Sequence, residues 1–121
     1  MAVLIVDAAN VVGSVPDGWW RDRRGAAARL RDAIAPLAVT GLGDLAPPLE
    51  VVLVVEGRAR GVPAVDGVTV VAAEGSGDDE IVRLVRASQG QVVVVTADRG
   101  LRDRVQALGA GVVGPRSLAY P

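Results

Sequence analysis

Short valine-rich runs without polar–apolar alternation are the feature that most constrains the fold of this chain. A half-exposed strand would alternate polar and apolar side chains, whereas these runs are continuous. Continuous runs of this kind are typical of parallel strands that helices cover on both faces. The predicted strands are Val3–Val6, Val51–Val55, Val68–Ala72 and Val92–Val95, with a weaker fifth at Val112–Val113.

Segments with helical periodicity lie between most of these strands. Apolar residues recur at helical spacing in GAAARLRDAIAPL, DDEIVRLVRA and RGLRDRVQALG. Pro36 should kink or end the first helix, and Gly109 should stop the last. Residues 41–48 are predicted to form a loop, and residues 56–67 form a crossover without helical period. The order β-α-β-β-α-β-α-β predicts an α/β fold in a single domain over residues 1–121: a Rossmann-like three-layer sandwich with a mainly parallel five-stranded sheet.

The composition excludes several classes of chemistry. The 121 residues include no cysteine, no histidine and no lysine, so all 13 basic residues are arginine. These absences rule out a Ser-His-Asp triad, a cysteine nucleophile, a Walker A lysine and a Schiff base. No apolar run approaches the roughly 20 residues of a membrane span, so we expect a cytoplasmic protein with no membrane partner. Any hydrolytic chemistry must come from carboxylates, and carboxylates that hold a metal are the favoured form.

Acidic residues follow the first four predicted strands. Asp7 ends the first, Glu56 ends the second, Asp78 and Asp79 open the helix after the third, and Asp98 follows the fourth. The carboxyl ends of parallel strands meet at one edge of the sheet, where such folds bind their ligands. We therefore expect these carboxylates to converge.

Each of these acids also has a structural interpretation. Asp78, Asp79 and Asp98 stand where helices begin, so each could be an ordinary N-cap or first-turn carboxylate. Asp7 differs, because the sequence predicts no helix for it to cap before Trp19. Converging carboxylates repel one another unless a cation offsets their charge, and Mg²⁺ or Mn²⁺ prefers such oxygen ligands. The joint pattern favours a divalent metal site.

Four motifs in this order resemble a known family. They are D-x-x-N after the first strand, an acid after the second, SGDDEIVRLV, and VVTADRGLRDRV. Together they resemble the NYN domains of the PIN-like nuclease superfamily, in particular the bacterial YacP-like group, from Val3 to about Leu118. The resemblance implies a PIN-like fold and a metal-dependent ribonuclease of the endonuclease type, which hydrolyses RNA phosphodiester bonds with an activated water.

The resemblance also implies roles for individual residues. The catalytic set would be Asp7, Asn10, Asp78, Asp79 and Asp98. Within it Asp7, Asp79 and Asp98 would bind Mg²⁺ or Mn²⁺, and Asp78 would support them. Asn10 would hold Asp7 or a substrate phosphate by hydrogen bonds.

Three further positions are implied with weaker roles. Thr96 would orient Asp98 or contact a phosphate. Asp103 would hold a metal-bound water. Glu56 stands where the family commonly has aspartate, so its role stays open.

Arginines and tryptophans suit a nucleic-acid-binding rim. Arginine pairs bidentately with phosphate, and single-strand binders stack bases on aromatic rings. We expect one of Trp19 and Trp20 to pack in the core and the other to be exposed, with Trp19 as the candidate stacking residue. The candidate phosphate-binding arginines are Arg21, Arg24, Arg58, Arg99 and Arg102.

Two alternatives to a nuclease stay open. One is a catalytically inactive RNA- or protein-binding module on the same fold, in which some of the acids would pair with arginine. The other is hydrolysis of a nucleoside triphosphate by the same acids. The expected partner is RNA, either single-stranded or structured. Whether that RNA is associated with the ribosome or with tRNA stays open, as does the formation of a homodimer.

Overall fold

Five strands form the central sheet of the computed structural model, which describes residues 1–121. The order across the sheet is β3-β2-β1-β4-β5, and every neighbouring pair is parallel. The predicted α/β class is confirmed, and the sheet is parallel throughout. The strands are β1 (Ala2–Asp7), β2 (Leu49–Val55), β3 (Val68–Ala72), β4 (Val92–Val95) and β5 (Gly111–Val113).

The central strand β1 marks the point where the chain changes direction across the sheet. From β1 the chain runs outward through β2 to β3, then returns to place β4 on the other side of β1. Leu4, Ile5 and Val6 of β1 are fully buried. Open α/β sheets bind ligands at such a switch point, outside the carboxyl ends of the strands. The fold therefore favours a site at the ends of β1 and β4.

Three helices match the predicted segments closely, and two short ones are additional, α1 at the start of the chain and α3 after Pro36. Pro36 separates α2 from α3, as its missing amide proton predicts. None of the helices has the length and hydropathy needed to span a bilayer. The helices are α1 (Ala8–Gly13), α2 (Arg23–Ile34), α3 (Leu37–Thr40), α4 (Gly77–Ala87) and α5 (Arg99–Gln106), and short 3₁₀ turns cover Trp19–Arg21, Gly57–Ala59 and Pro115–Ser117.

The core lies on both faces of the sheet. Leu4 and Val6 point to one face, where Leu30 of α2 packs, and α1 covers the same side. Ile5 points to the other face, against Ile81 of α4 and the helix α5. Successive strand residues alternate between the faces, so a strand buried on both sides must be apolar throughout. This explains the continuous valine-rich runs and confirms the three-layer sandwich.

The expectation that no helix begins before Trp19 was wrong. Helix α1 begins directly after Asp7, and the Asp7 side chain accepts a hydrogen bond from the Asn10 amide as its N-cap. The segment AANVVG is short, and its valines have low intrinsic helix propensity. Val11 and Val12 are buried in the core, so packing rather than propensity stabilises this helix.

Candidate functional site

A cleft of about 370 Å³ opens at the carboxyl ends of the strands. We call it the acid cleft. It brings together side chains from four connections, those that follow β1, β2, β3 and β4. Four of the predicted acids are among them. The lining residues are Asp7, Ala9, Asn10, Glu56, Ser76, Asp78 and Asp98.

Asp7 is the buried carboxylate of the acid cleft, with only 4% of its surface exposed. Thr96 Oγ1 donates to Asp7 Oδ2 at 2.9 Å, and the Asn10 amide donates to Oδ1 at 3.4 Å. Burial raises the pKa of Asp7 from 3.8 to about 6, these two hydrogen bonds oppose the rise, and the charges of Asp78 and Glu56 add to it. Asp7 therefore titrates just below neutral pH, as functional carboxylates often do.

Thr96 connects two of the acids and is itself inaccessible to solvent. It is 0% exposed, so the expectation that it contacts a phosphate was wrong. Besides donating to Asp7, its hydroxyl oxygen accepts a hydrogen bond from the Asp98 amide at 3.1 Å. Thr96 therefore positions both Asp7 and the backbone that carries Asp98.

Replacing Thr96 by valine should destabilise the fold by about 1.5–3 kcal/mol, because the Asp7 carboxylate loses a buried hydrogen bond. The pKa of Asp7 should also rise further above 6, since that hydrogen bond lowers it. Urea unfolding and NMR titration of the Asp7 carboxyl carbon measure the two effects. The matched control is Thr69→Val on the exposed edge strand β3. Equal stability of the two variants would contradict the positioning role of Thr96.

Asn10 fixes α1 against the loop that follows β4. Its Oδ1 accepts a hydrogen bond from the Ala97 amide at 2.8 Å. No protein group pairs with its Nδ2, and Asn10 lines the acid cleft. The side chain can therefore donate a hydrogen bond to a ligand there without losing its structural contact.

Asp98 serves as a helix cap, as the structural interpretation predicts. Its Oδ1 accepts from the Leu101 amide at 2.8 Å, and this begins α5. Its other carboxylate oxygen has no protein partner and remains available in the acid cleft. Capping and ligand binding are therefore compatible for this residue.

Asp78 is a first-turn residue of α4 and not its cap. Ser76 caps this helix, its Oγ accepting a hydrogen bond from the Asp79 amide at 3.1 Å. Burial raises the pKa of Asp78, and the Asp98 and Glu56 carboxylates raise it further, while Arg104 opposes them. The acids of the cleft therefore interact electrostatically.

Asp79 lies outside the acid cleft, so the predicted metal-binding trio Asp7, Asp79 and Asp98 is not brought together. Its Oδ1 lies 3.0 Å from Arg104 Nη1, and its side chain is 74% exposed. Consecutive residues of a helix point about 100° apart, so one of two neighbours faces the cleft. The buried face of α4 fixes that rotation, and Asp78 lines the cleft instead.

Glu56 connects the end of β2 to the start of α4. Its Oε2 accepts a hydrogen bond from the Gly77 amide at 3.1 Å. A Cβ at Gly77 would lie 3.0 Å from Glu56 Oε1, so glycine permits this close approach. Asp103 is exposed on α5 and does not line the acid cleft.

The donor set of the acid cleft fits a hard divalent cation. Its donors are carboxylate, amide and hydroxyl oxygens, the ligands that Mg²⁺ and Mn²⁺ prefer. No group of three acidic side chains lies close enough to hold an ion by itself. Mg²⁺ is usually bound by one or two carboxylates, with water and substrate phosphate completing its shell. The arrangement suits that mode rather than a closed protein cage.

The candidate nucleic-acid-binding arginines fall into different environments. Arg58, Arg99 and Arg102 are exposed and form no ion pair. Arg24 is also exposed, but its Nε donates to the Arg60 carbonyl at 3.1 Å and holds the loop after β2. Arg21 is exposed, and its guanidinium lies 5.9 Å from the Trp20 ring.

One tryptophan packs against the core and the other is exposed, as predicted. Trp19 is half-buried against the core beneath α1 and α2, whereas Trp20 is 54% exposed. The rings meet edge to face, with centroids 5.9 Å apart and planes at 87°. The candidate stacking residue Trp19 is thus the inner ring, and Arg23 lies over it at 5.1 Å.

No family model matches the chain, and no curated protein matches it closely enough to count as a relative. Among solved structures, the chain is similar to Rae1 (YacP) from Bacillus subtilis, with a TM-score of 0.79 and 20% identity over 97% of this chain and 71% of that one. A tryptophan-to-leucine variant of the same protein gives a TM-score of 0.73 at 21% identity, over 97% and 72% of the two chains. The chain has a YacP-like fold.

Proposed function

We propose that this protein is a metal-dependent ribonuclease that cuts RNA phosphodiester bonds internally at the acid cleft. The observation that carries the proposal is Asp7, a buried carboxylate with a pKa of about 6, at the switch point of the sheet beside Glu56, Asp78 and Asp98. Burying a carboxylate among other carboxylates opposes folding. Proteins keep such unfavourable groups chiefly at functional sites.

The residues of the acid cleft would have different roles in cleavage. One or two of Asp7, Asp78 and Asp98 would bind the Mg²⁺ or Mn²⁺ ion directly and the rest through water, and the bound ion would activate a water and offset the charge that develops on the phosphoryl group. Thr96 holds Asp7 in one orientation. Asn10 Nδ2 donates to a non-bridging phosphate oxygen. A water oxygen would bond to phosphorus as the P–O bond to one ribose oxygen breaks, and the water would lose a proton to solvent while the released ribose oxygen takes one up from solvent.

RNA is the proposed substrate on three grounds. The sequence motifs resemble the YacP-like nucleases, and the fold is similar to Rae1 (YacP). Exposed arginines follow β2 and β4, near the acid cleft, where they can contact phosphates of the strand. The cytoplasm is the proposed compartment. RNA associated with the ribosome or with tRNA lies within this substrate class.

The ion pair between Asp79 and Arg104 supports a second candidate function. An inactive RNA-binding module would keep the fold and pair some of its acids with arginine. Such a module would bind RNA without any requirement for a metal. Metal binding and cleavage therefore separate the two candidates.

The neighbours Asp78 and Asp79 offer a matched test of the metal site. In thermal melts of chelator-treated protein, saturating Mn²⁺ should stabilise the wild type by about 2.7 kcal/mol at 100 times Kd, a shift of several degrees. Asp78→Asn should lose most of this shift and most RNA cleavage. Asp79→Asn should keep both, with a stability change below about 1 kcal/mol, since its ion pair is exposed.

Other outcomes of this experiment are equally informative. Loss of the shift only in Asp79→Asn would show that the placement of Asp79 outside the site is wrong. No shift and no cleavage in the wild type, together with RNA binding, would favour the inactive module.

A further inference from the structure

A second pocket, of about 220 Å³, lies directly beside the acid cleft. We call it the tryptophan pocket. Trp19 and Arg23 line it, with Val12 and Ala59 among its apolar walls. Ala9 and Glu56 line both this pocket and the acid cleft. A ligand in one would therefore adjoin a ligand in the other.

The walls of the tryptophan pocket suit a flat heterocycle. The Trp19 ring offers a stacking surface, and packing against the core and against Trp20 holds it in place. The Arg23 guanidinium lies over that ring, 5.1 Å from its centroid, so a base that stacks on Trp19 would displace it to the base edge, where it can donate hydrogen bonds. Glu56 Oε1 has no hydrogen-bond partner, while Oε2 accepts from Gly77. Glu56 and Arg23 therefore place a hydrogen-bond acceptor and a hydrogen-bond donor at the rim of an apolar pocket.

The size of the pocket limits its occupant to one ring system. Pockets for drug-sized ligands start at about 300 Å³, and this one is smaller. The charge nearby limits the occupant further. Arg58 lies between Gly57 and Ala59, which both line the pocket, and Arg60 follows, so the rim favours a phosphate-bearing molecule.

We propose that the tryptophan pocket binds one unpaired nucleobase of the RNA strand whose adjacent phosphate lies in the acid cleft. The identification of the strand as RNA rests on the proposed function. A base that is paired inside a duplex cannot stack on Trp19, because its faces are covered and its edge is engaged. The pocket thus restricts the substrate to single-stranded or locally unpaired segments.

The test measures binding without cleavage, in EDTA, with Trp19 as the reporter. Trp20→Phe leaves Trp19 as the only indole of the chain. A short single-stranded oligoribonucleotide should quench the Trp19 fluorescence saturably. An oligonucleotide of the same length with abasic sites, a duplex of the same sequence, and a nucleoside monophosphate should each bind about tenfold more weakly or worse.

A pocket-filling variant supplies the second arm. Ala59 lines the tryptophan pocket and not the acid cleft. Ala59→Leu should therefore fill part of the pocket and weaken the binding of the single-stranded oligonucleotide about tenfold. Ala87→Leu, at the exposed end of α4 on the opposite face of the sheet, is the matched control and should bind normally. Circular dichroism checks that both variants fold. If Ala59→Leu does not fold, the abasic oligonucleotide still tests the pocket in the protein that carries Ala59.

Several results would overturn the proposal. One is that single-stranded RNA does not quench the Trp19 fluorescence. Another is that the duplex, the abasic strand or the monophosphate binds as tightly as the intact single strand. A third is that the Ala59→Leu variant folds and binds the single strand as tightly as the protein with Ala59. Because no metal is present, these outcomes are independent of whether the acid cleft cleaves RNA. A protein that cleaves RNA but shows no quenching would keep the proposed function and lose this inference.

Discussion

The Asp7→Asn variant is expected to cleave RNA about a hundredfold more slowly than the wild type, or worse, while keeping its fold. Asparagine has the shape of aspartate, and its amide oxygen can accept the hydrogen bond that Thr96 Oγ1 donates to Asp7 Oδ2 at 2.9 Å. The substitution removes the one buried negative charge of the acid cleft. The variant therefore binds a divalent ion less tightly, and the ion is positioned less well against the phosphate. Cleavage of a labelled RNA at saturating Mn²⁺ measures the loss.

The matched control for this variant is Asp44→Asn, which removes an exposed carboxylate in the loop before β2. It should cleave RNA at the wild-type rate. If Asp7→Asn retained activity within about threefold, the cleavage would not arise at the acid cleft, since a ligand of the metal costs more than that. A Mn²⁺-dependent rise in melting temperature should shrink in parallel in Asp7→Asn and stay unchanged in the control.

The convergence of the acids could be predicted from the sequence because it depends only on strand direction. All strands of the sheet are parallel, so an acid after each strand must arrive at the same edge. Asp7, Glu56, Asp78 and Asp98 meet in the acid cleft for this reason. The strands themselves were predictable because burial on both faces leaves an uninterrupted apolar run.

The details that the sequence did not predict depend on tertiary packing. Whether Asp78 or Asp79 enters the cleft depends on the rotation of α4, which its buried residues fix against the sheet. Helix α1 forms because Val11 and Val12 pack in the core, against their weak helix propensity. The burial of Thr96 follows from its place at the end of β4, where the surrounding layers close over it. None of these effects leaves a periodic signal in the sequence.

The pH dependence of stability should reveal Asp7 without any substrate. The pKa of Asp7 is about 6 in the folded protein and 3.8 when exposed, so the folded state binds this proton more tightly than the unfolded state does. Above about pH 7 the carboxylate is ionised in both states, and its burial lowers the free energy of unfolding by about 3 kcal/mol. As the pH falls from 6 towards 3.8, protonation of the folded state removes that cost.

The unfolding free energy of the wild type, minus that of Asp7→Asn, should therefore rise by about 2–2.5 kcal/mol between about pH 7.5 and pH 4, and by the rest only below pH 3.8. Other titrating groups largely cancel in this difference. Urea unfolding in EDTA measures it, because a bound cation would favour the ionised carboxylate and mask the effect. The same difference for Asp44→Asn should be nearly flat. A difference that stays constant or falls as the pH decreases would contradict this prediction. It would mean that Asp7 is well solvated, or that its hydrogen bonds fully offset the cost of burying its charge. The acid cleft would then hold no unfavourable charge for a metal to neutralise.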